Sequence, residues 1–327
     1  MDNEILVSIH CLTYNHAPYI RECLDGFVMQ KTNFRYEIVI HDDASTDGTA
    51  DIIREYEKKY PDLFNAIYET ENQYSKYNGD FYQIQNILQK AIKGKYVAYC
   101  EGDDYWIDPY KLQKQVDILE SDPECSLVYT SYRRYIQDED RFMDDVIVEK
   151  EGYLYEKMFS HYEEDKINVL TLTVCIRKDI LEKLPPIPQD AFSGDIYLWM
   201  TASIMGTFRI VKDITSVYRI LRESGCHFTE KSQIYKMFKD TGKLKIAMLE
   251  FHPINNIVII NSVKFRYLNH LIHYSLLTNN YEAYKDFYNE KKYFGKFKHR
   301  IKLFFYYFFR EKHLFKCISW LYRVYNH

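Results

Sequence analysis

Apolar residues in the first 130 positions follow two alternating spacings. Short, continuously apolar segments rich in β-branched residues predict buried strands at 5–13, 36–41, 95–100 and 126–132. Between them, apolar residues at every third or fourth position predict helices at 18–30, 46–60 and 108–121. Strands that alternate with helices predict an α/β fold, with a mainly parallel sheet and helices on both faces.

Polar clusters directly follow three of these strands. They read TYNH at 13–16, HDDASTDGT at 41–49 and EGDDYW at 101–106. In open α/β sheets, ligands bind beyond the carboxyl ends of the strands, where the strand order reverses. We therefore expect the three clusters to converge on one ligand site.

The EGDDYW cluster sets three carboxylates, those of Glu101, Asp103 and Asp104, beside two large aromatic side chains. Adjacent carboxylates repel each other in a poorly solvated place unless a cation or an array of donors compensates. The cluster therefore indicates a cation site. The alternative is a solvated acidic turn before the next helix, which Asp108 and Pro109 would begin.

The HDDASTDGT cluster offers two carboxylates, two hydroxyls and a tight turn into a helix whose N-terminal amides favour negative charge. By itself it is also typical of a well-capped strand-to-helix turn. It contains neither the G-x-G-x-x-G fingerprint nor the P-loop pattern. A nucleotide bound here would be recognised mainly by a carboxylate and a ring.

Composition narrows the class of protein. Aromatic residues make up 17% of the 327 positions, which suits planar or sugar-like ligands, although packing alone also uses aromatic residues. The formal net charge of -4 argues against nucleic acid as a partner. The seven cysteines form no C-x-x-C pair and indicate neither a disulfide framework nor a zinc ribbon. An acidic N-terminus and the lack of a long apolar run predict a cytoplasmic protein that is soluble or peripheral.

Taken in order, the segments VSIHCLTYNHAPYIRECLDGFVMQ, EIVIHDDASTDGTADII and GKYVAYCEGDDYWIDPYKLQKQV closely resemble the N-terminal half of family 2 glycosyltransferases. The resemblance is strong over residues 5–132 and looser over 165–230. It implies the GT-A fold and a nucleotide-sugar donor. Leu12 stands where the family often has proline before the TYN motif.

The resemblance also implies roles for residues of the three clusters. Thr13 and Tyr14 match the donor-binding loop, with the ring of Tyr14 on the base, and Asp43 matches the acid that accepts the uracil N3 hydrogen. Asp103 and Asp104 match the acidic motif that holds the ribose and a divalent cation on the diphosphate. Hard oxygen ligands favour Mg²⁺ or Mn²⁺.

The second half matches the acceptor side of the family. Asp195 corresponds to the base that takes the proton of the acceptor hydroxyl in an inverting transfer, and Asp190 is the second candidate. Helix capping by Asp195 is the alternative. Arg219 and Arg222 fall where the family contacts the diphosphate, and His227 falls where it completes the metal site. The acceptor is expected to be a glycan or a lipid-linked glycan.

Residues 231–327 are predicted to form a separate helical, aromatic-rich region after a glycosyltransferase domain of residues 1–230. The last segment, 291–327, carries ten basic residues and one acidic residue. This net charge of +9 favours contact with an anionic membrane, and a helix packed on the acidic remainder of the chain is the alternative.

Two other classes of function fit parts of the sequence. A nucleotidyltransferase would also use a metal and a nucleotide, but a triphosphate loop rich in glycine and arginine is missing near the N-terminus. A non-catalytic relative that binds sugar nucleotides or glycans would keep Tyr14 and Asp43 without needing Asp195. Turnover separates these classes.

Overall fold

The computed structural model of the chain describes residues 4–77, 81–147, 155–159, 169–185, 194–222, 231–289 and 319. The chain forms two compact units, one of residues 1–184 and 194–223 and one of residues 185–193 and 224–327. The domain boundary that we place at residue 230 stays a prediction.

The first unit is built on a single sheet to which the described residues contribute nine strands. In chain order they are β1 (Ile5–Thr13), β2 (Arg35–Asp42), β3 (Phe64–Tyr68), β4 (Tyr96–Tyr99), β5 (Tyr105–Trp106), β6 (Cys125–Ile136), β7 (Arg141–Ile147), β8 (Cys175–Arg177) and β9 (Thr207–Ile220). The order across the sheet is β3-β2-β1-β4-β8-β6-β9-β5, and β7 pairs with β6. Strands β1 to β4 pair in parallel, as do β6 and β9, and β8 joins these two parts by antiparallel pairing with β4 and β6.

Helices cover both faces of this sheet, as the sequence predicts. Alternation along β2 shows the two faces, because Ile38 and Ile40 belong to one apolar core and Val39 to the other. The first core takes side chains from α1 (Ile20–Val28), α2 (Thr49–Lys59) and α5 (Lys111–Ser121). The second takes them from α4 (Phe81–Ala91), α6 (Asp179–Glu182) and α7 (Gly194–Met205). A short helix, α3 (Gln73–Lys76), follows β3.

Predicted strands and helices appear close to their expected positions, but α1, α2 and α5 begin two or three residues later than the apolar spacing indicates. The residues before them form capping turns. Asp47 Oδ1 accepts a hydrogen bond of 3.0 Å from Thr49 N before α2, and Asp108 Oδ1 accepts one of 2.8 Å from Tyr110 N before α5. Asp and Asn side chains commonly hold such turns because they bond to the backbone two residues on.

The described part of the second unit is helical, as predicted, and consists of α8 (Lys231–Phe251), α9 (Ile257–Leu277) and α10 (Tyr281–Asn289). Asn256 begins α9, since its Oδ1 accepts hydrogen bonds of 3.2 Å from the amides of Val258 and Ile259. The predicted helical region is interrupted between α9 and α10, where Asn279 has a φ of 51°. No helix in the described ranges is long and apolar enough to cross a membrane. Apart from Ser319, the basic segment 291–327 lies outside the described residues.

Candidate active site

The TYNH and HDDASTDGT clusters interlock at the carboxyl ends of β1 and β2. Asn15, in the left-handed conformation with a φ of 54°, donates its amide to Ser45 Oγ at 2.8 Å and accepts from Thr46 N at 2.8 Å. Ala17 N donates to Asp47 Oδ2 at 2.9 Å. These reciprocal bonds fix the two loops as one surface.

The first four residues of the EGDDYW cluster, 101–104, are called the acidic loop below. This loop packs against the same surface. Gly102 N donates to Leu12 O at 3.0 Å. A Cβ at position 102 would lie 2.8 Å from Thr13 Oγ1 and 2.9 Å from His16 Nδ1, so only glycine lets the loops approach this closely. All three clusters therefore meet at the carboxyl edge of β1, β2 and β4.

Asp43 lies at the start of this surface, buried and 5% exposed. Its amide donates to Thr13 O at 3.0 Å, and its two carboxylate oxygens accept hydrogen bonds from Gln73 N at 2.6 Å and Tyr74 N at 3.1 Å. The carboxylate therefore anchors α3, which the sequence did not reveal. The ring of Tyr14 is 46% exposed and available to a ligand.

Arg219 holds the acidic loop from behind. Its amide donates to Asp104 Oδ1 at 2.7 Å, and its Nε donates to the carbonyl oxygen of Asp103 at 2.8 Å. Its other guanidinium nitrogens donate to Glu22 Oε2 at 2.6 Å and to Gln137. The side chain is only 3% exposed, and its guanidinium also lies against the rings of Tyr19, Tyr105 and Tyr135. This geometry gives Arg219 a positioning role, and its contact with a diphosphate stays a prediction.

The carboxylates of the acidic loop are in an unfavourable electrostatic environment. Burial, followed by the charges of Asp103 and Asp195, raises the pKa of Glu101 to about 8. Burial and the charge of Asp103 also raise the pKa of Asp104 well above its usual range. His16 Nε2 lies 4.0 Å from Asp103 Oδ2, and burial lowers the pKa of this imidazole. The loop as folded therefore favours the arrival of positive charge.

Asp195 stands in the first turn of α7. Its Oδ1 accepts a hydrogen bond of 2.7 Å from Ile196 N, and its Oδ2 accepts one of 3.4 Å from Thr171 Oγ1. Burial raises the pKa of Asp195. Thr171 connects Asp195 to the segment of the acidic loop, because the carbonyl oxygen of the next residue, Leu172, accepts a hydrogen bond of 2.9 Å from Trp106 Nε1.

The described contacts do not test three of the predicted site residues. Arg222 Nε pairs with Asp138 Oδ2 at 3.1 Å, and the Arg222 side chain is 84% exposed. His227 and Asp190 lie outside the described residues. Their predicted roles stay predictions.

Some polar atoms of the TYNH and HDDASTDGT clusters are buried without a partner. Four such atoms have no hydrogen-bond partner among the described residues: Thr13 Oγ1, His16 Nδ1, His41 Nδ1 and Asp42 Oδ1. Sequence reasoning missed His16 and Asp42 as site residues, although both stand in the clusters that it singled out. Thr171 lay outside every recognised motif.

The acidic loop fits a divalent cation chemically. In the described ranges, no three His, Cys, Asp or Glu side chains converge in a way that would hold a metal ion. Mg²⁺ in nucleotide enzymes is commonly bound by one or two carboxylates together with substrate phosphates. Asp103 and Asp104 supply two such carboxylates, and among the described residues the Asp103 carboxylate meets His16 alone, at 4.0 Å.

A sheet of this order, with an acidic loop and the interlocked TYNH and HDDASTDGT clusters at its carboxyl edge, is the GT-A arrangement. The structure of a mannosyltransferase shares the fold. The chain belongs to glycosyl transferase family 2, whose family model matches residues 8–184. The predicted family and fold class are both confirmed.

Similarity to individual proteins covers part of the chain. An uncharacterised protein of Mycobacterium tuberculosis is 45% identical over 132 residues, which are 40% of this chain and 36% of that protein. The Escherichia coli UDP-Glc:alpha-D-GlcNAc-diphosphoundecaprenol beta-1,3-glucosyltransferase WfaP is 32% identical over 135 residues, 41% of this chain and 48% of that one. The matches thus span less than half the length of these two relatives.

Solved structures match over more of the chain at lower identity. The S. aureus protein TarS in complex with UDP-GlcNAc has a TM-score of 0.58 and 16% identity, over 84% of this chain and 74% of that one. The mannosyltransferase PcManGT from Pyrobaculum calidifontis, in complex with GDP-Man and Mn²⁺, has a TM-score of 0.54 and 15% identity, over 99% of this chain and 88% of that one. At these identities the two structures show the shared fold.

Proposed function

We propose that this protein is an inverting glycosyltransferase that moves a sugar from a UDP-sugar to a hydroxyl of a glycan or lipid-linked acceptor. One observation carries the proposal: Thr171 Oγ1 donates to Asp195 Oδ2 at 3.4 Å, and the next residue, Leu172, accepts a hydrogen bond of 2.9 Å from Trp106, which lies in the same EGDDYW segment as the acidic loop. A donor diphosphate held at the loop would therefore present its sugar near the Asp195 carboxylate. The donor of WfaP and the UDP-GlcNAc bound to TarS support a UDP-sugar.

The nucleoside would bind between the interlocked loops. The exposed ring of Tyr14 offers a stacking face for the base. Asp43 would accept the uracil N3 hydrogen. Each of its carboxylate oxygens accepts one hydrogen bond from a backbone amide of α3 and can accept another. The unpartnered hydroxyl of Thr13 would serve the donor beside them.

The diphosphate would lie on the acidic loop, with Asp103 and Asp104 as the ligands of Mg²⁺ or Mn²⁺. A divalent cation bound there would neutralise the charge that develops on the departing diphosphate. Arg222 and His227 are proposed to reach the same region. Arg219 would keep the two aspartates in place through its amide and Nε contacts.

Asp195 would act on the acceptor. Its carboxylate takes the proton from the acceptor hydroxyl while the oxygen attacks the anomeric carbon, and the bond from that carbon to the diphosphate breaks. The leaving UDP takes the electron pair of the broken bond. Attack from the face opposite the diphosphate inverts the anomeric configuration.

The location of the reaction is part of the proposal. The net charge of +9 in residues 291–327 favours an anionic membrane surface, and WfaP acts on a diphosphoundecaprenol-linked acceptor. We therefore place the protein at the cytoplasmic face of a membrane, as a peripheral protein.

Donor turnover and its loss in a base variant test the function. UDP-glucose, UDP-galactose, UDP-GlcNAc and GDP-mannose are each supplied with Mn²⁺, and the release of nucleoside diphosphate is measured with water or added glycan as acceptor. Asp195→Asn should keep its affinity for UDP and lose about 10² to 10⁴ of the rate, the usual contribution of a general base. Asp51→Asn is the matched control, because Asp51 also stands in the first turn of a helix, and its side chain is exposed.

The outcomes separate the classes of function. Binding of UDP with Mn²⁺ but no turnover from any donor would indicate a sugar-nucleotide-binding protein. Turnover that survives in Asp195→Asn would remove Asp195 as the base and give Asp190 that role. Equal losses in Asp195→Asn and Asp51→Asn would show that general destabilisation, and not chemistry, explains the effect.

A further inference from the structure

A short turn, residues 171–173, is held by an unusual number of buried side-chain donors. The carbonyl oxygen of Leu172 accepts hydrogen bonds from Trp106 Nε1 at 2.9 Å and Ser216 Oγ at 3.3 Å. The carbonyl oxygen of Thr173 accepts from Gln115 Nε2 at 2.9 Å and Lys111 Nζ at 3.2 Å. All four donors are at most 2% exposed. The turn is thus pinned from β5, β9 and α5 together.

The most costly of these donors is Lys111, which is fully buried. Its Nζ contacts only neutral groups among the described residues, at 2.7 Å from Gln115 Oε1, 3.2 Å from the carbonyl oxygen of Thr173 and 4.8 Å from the ring centre of Trp106. Burying an amine without a carboxylate is strongly unfavourable, and methionine would fill the same space without that penalty. Fold stability alone therefore gives no reason for the amine, whereas a fixed turn does.

The pinned turn reaches the proposed base directly. Thr171 Oγ1 donates to Asp195 Oδ2 at 3.4 Å, while the other carboxylate oxygen accepts the amide of the neighbouring residue Ile196. The Thr171 hydroxyl is thus a contact that reaches the Asp195 carboxylate from outside α7. Its position depends on the turn, and the turn depends on the buried donors.

The same donors also connect to the acidic loop. Trp106 follows Asp104 by two residues, and Ser216 pairs with Trp106 across β9 and β5. A displacement of the acidic loop would therefore be transmitted to the turn through Trp106, and from the turn to Asp195.

We propose that Thr171 and Lys111 are positioning residues for transfer: Lys111 and its neighbours fix the turn against the acidic loop, and the Thr171 hydroxyl aims the Asp195 carboxylate at the acceptor oxygen. The inference rests on the proposed function and deepens it. In this proposal, one buried cluster sets the distance between the acidic loop, which holds the donor, and Asp195, which faces the acceptor.

Two variants of Thr171 test this without disturbing the core. Thr171→Val keeps the shape and removes the hydroxyl, while Thr171→Ser keeps the hydroxyl. With the donor sugar that the wild type turns over, Thr171→Val should lower kcat by about tenfold or more, since small misplacements of a reacting group are expensive. The Kd for UDP with Mn²⁺ should change by less than about twofold, and Thr171→Ser should restore kcat. If Thr171 had a purely structural role, Thr171→Val would instead lower Tm and would change kcat and the Kd for UDP together.

Lys111→Met completes the test in a double-mutant cycle with Thr171→Val. Because both residues are proposed to act through one turn, the double variant should lose no more kcat than the more damaging single variant. If Lys111→Met does not fold, Ser216→Ala replaces it in the cycle.

The outcomes distinguish the inference from the proposed function. Wild-type kcat in Thr171→Val, or multiplicative losses in the double variant, would overturn the positioning role while the transferase stands. A wild-type protein without turnover from any donor, or an Asp195→Asn variant with full turnover, would overturn the proposed function and this inference with it.

Discussion

Lys111 should make the stability of the protein depend on pH in an unusual range. Its amine is fully buried, and that burial lowers the pKa of Lys111 from 10.5 to about 7. Above pH 7 the folded protein therefore holds a neutral amine at this position. The unfolded chain keeps the ordinary pKa of a lysine, about 10.4, and stays protonated there.

The direction of the effect follows from proton counting. Between pH 7 and about 10.4 the unfolded chain binds more protons at this residue than the folded protein, so the free energy of unfolding rises with pH. One pKa unit corresponds to about 1.36 kcal/mol. The lowering from 10.5 to about 7 therefore amounts to about 5 kcal/mol, a penalty present below pH 7 and relieved as the pH rises.

Urea unfolding of the wild type and Lys111→Met between pH 6 and 10 measures this contribution. The variant should be the more stable protein relative to the wild type at pH 6, where the buried amine is charged. The difference in unfolding free energy between the two should then shrink by about 1.4 kcal/mol per pH unit between pH 7 and 10. Lys90→Met, which changes an exposed lysine on α4, is the control and should give a flat difference.

A flat difference for Lys111→Met would refute the reasoning. It would show that the amine remains charged in the folded protein up to its ordinary pKa, so that the donors around the turn would include a full positive charge. A steep difference in the opposite direction would require a carboxylate partner that the described residues do not provide.

The acidic loop and the C-terminal segment give three further predictions. Asp103→Asn and Asp104→Asn should each remove the Mn²⁺ dependence of UDP binding in isothermal titration, and unchanged affinity in both would contradict the metal assignment. Gly102→Ala should weaken UDP binding, because the new Cβ would lie 2.8 Å from Thr13 Oγ1 and force the loops apart; a wild-type Kd would show that they separate freely. A protein truncated after Phe294 should lose the sedimentation with anionic vesicles that the full chain shows at low salt. If neither form sediments, a soluble acceptor becomes the better proposal.

Local signals in the sequence predicted β1, β2, β4 and β6, but they did not reveal the parallel strand β3. In β1 and β2 the apolar run, its end and the polar cluster that follows are contiguous, so composition alone places the strand and its carboxyl end. The meeting of the three clusters also follows, because parallel neighbours end at the same edge. The antiparallel strand β8 has only three residues, which are too few to show an alternation of apolar and polar positions.

Contacts between distant residues account for what the sequence did not predict. The family resemblance predicts that Arg219 contacts the diphosphate, which stays a prediction. It does not reveal that β9 continues through Ile220 and directs the guanidinium to Glu22, 197 positions away. Thr171 and Asp195 are 24 residues apart, with part of the intervening chain outside any recognisable pattern. Pairings of this kind depend on tertiary packing, which a single sequence does not encode as a local motif.

The charges of the site favour the proposal that a divalent cation binds together with the donor. Burial, and after it the charge of Asp103, raises the pKa values of Glu101 and Asp104. Arg219 holds this loop from behind, and its guanidinium already bonds to Glu22 and Gln137. A divalent cation that brought a diphosphate with it would relieve this repulsion as the donor binds. We propose that the unfavourable burial of these carboxylates couples metal binding to donor binding.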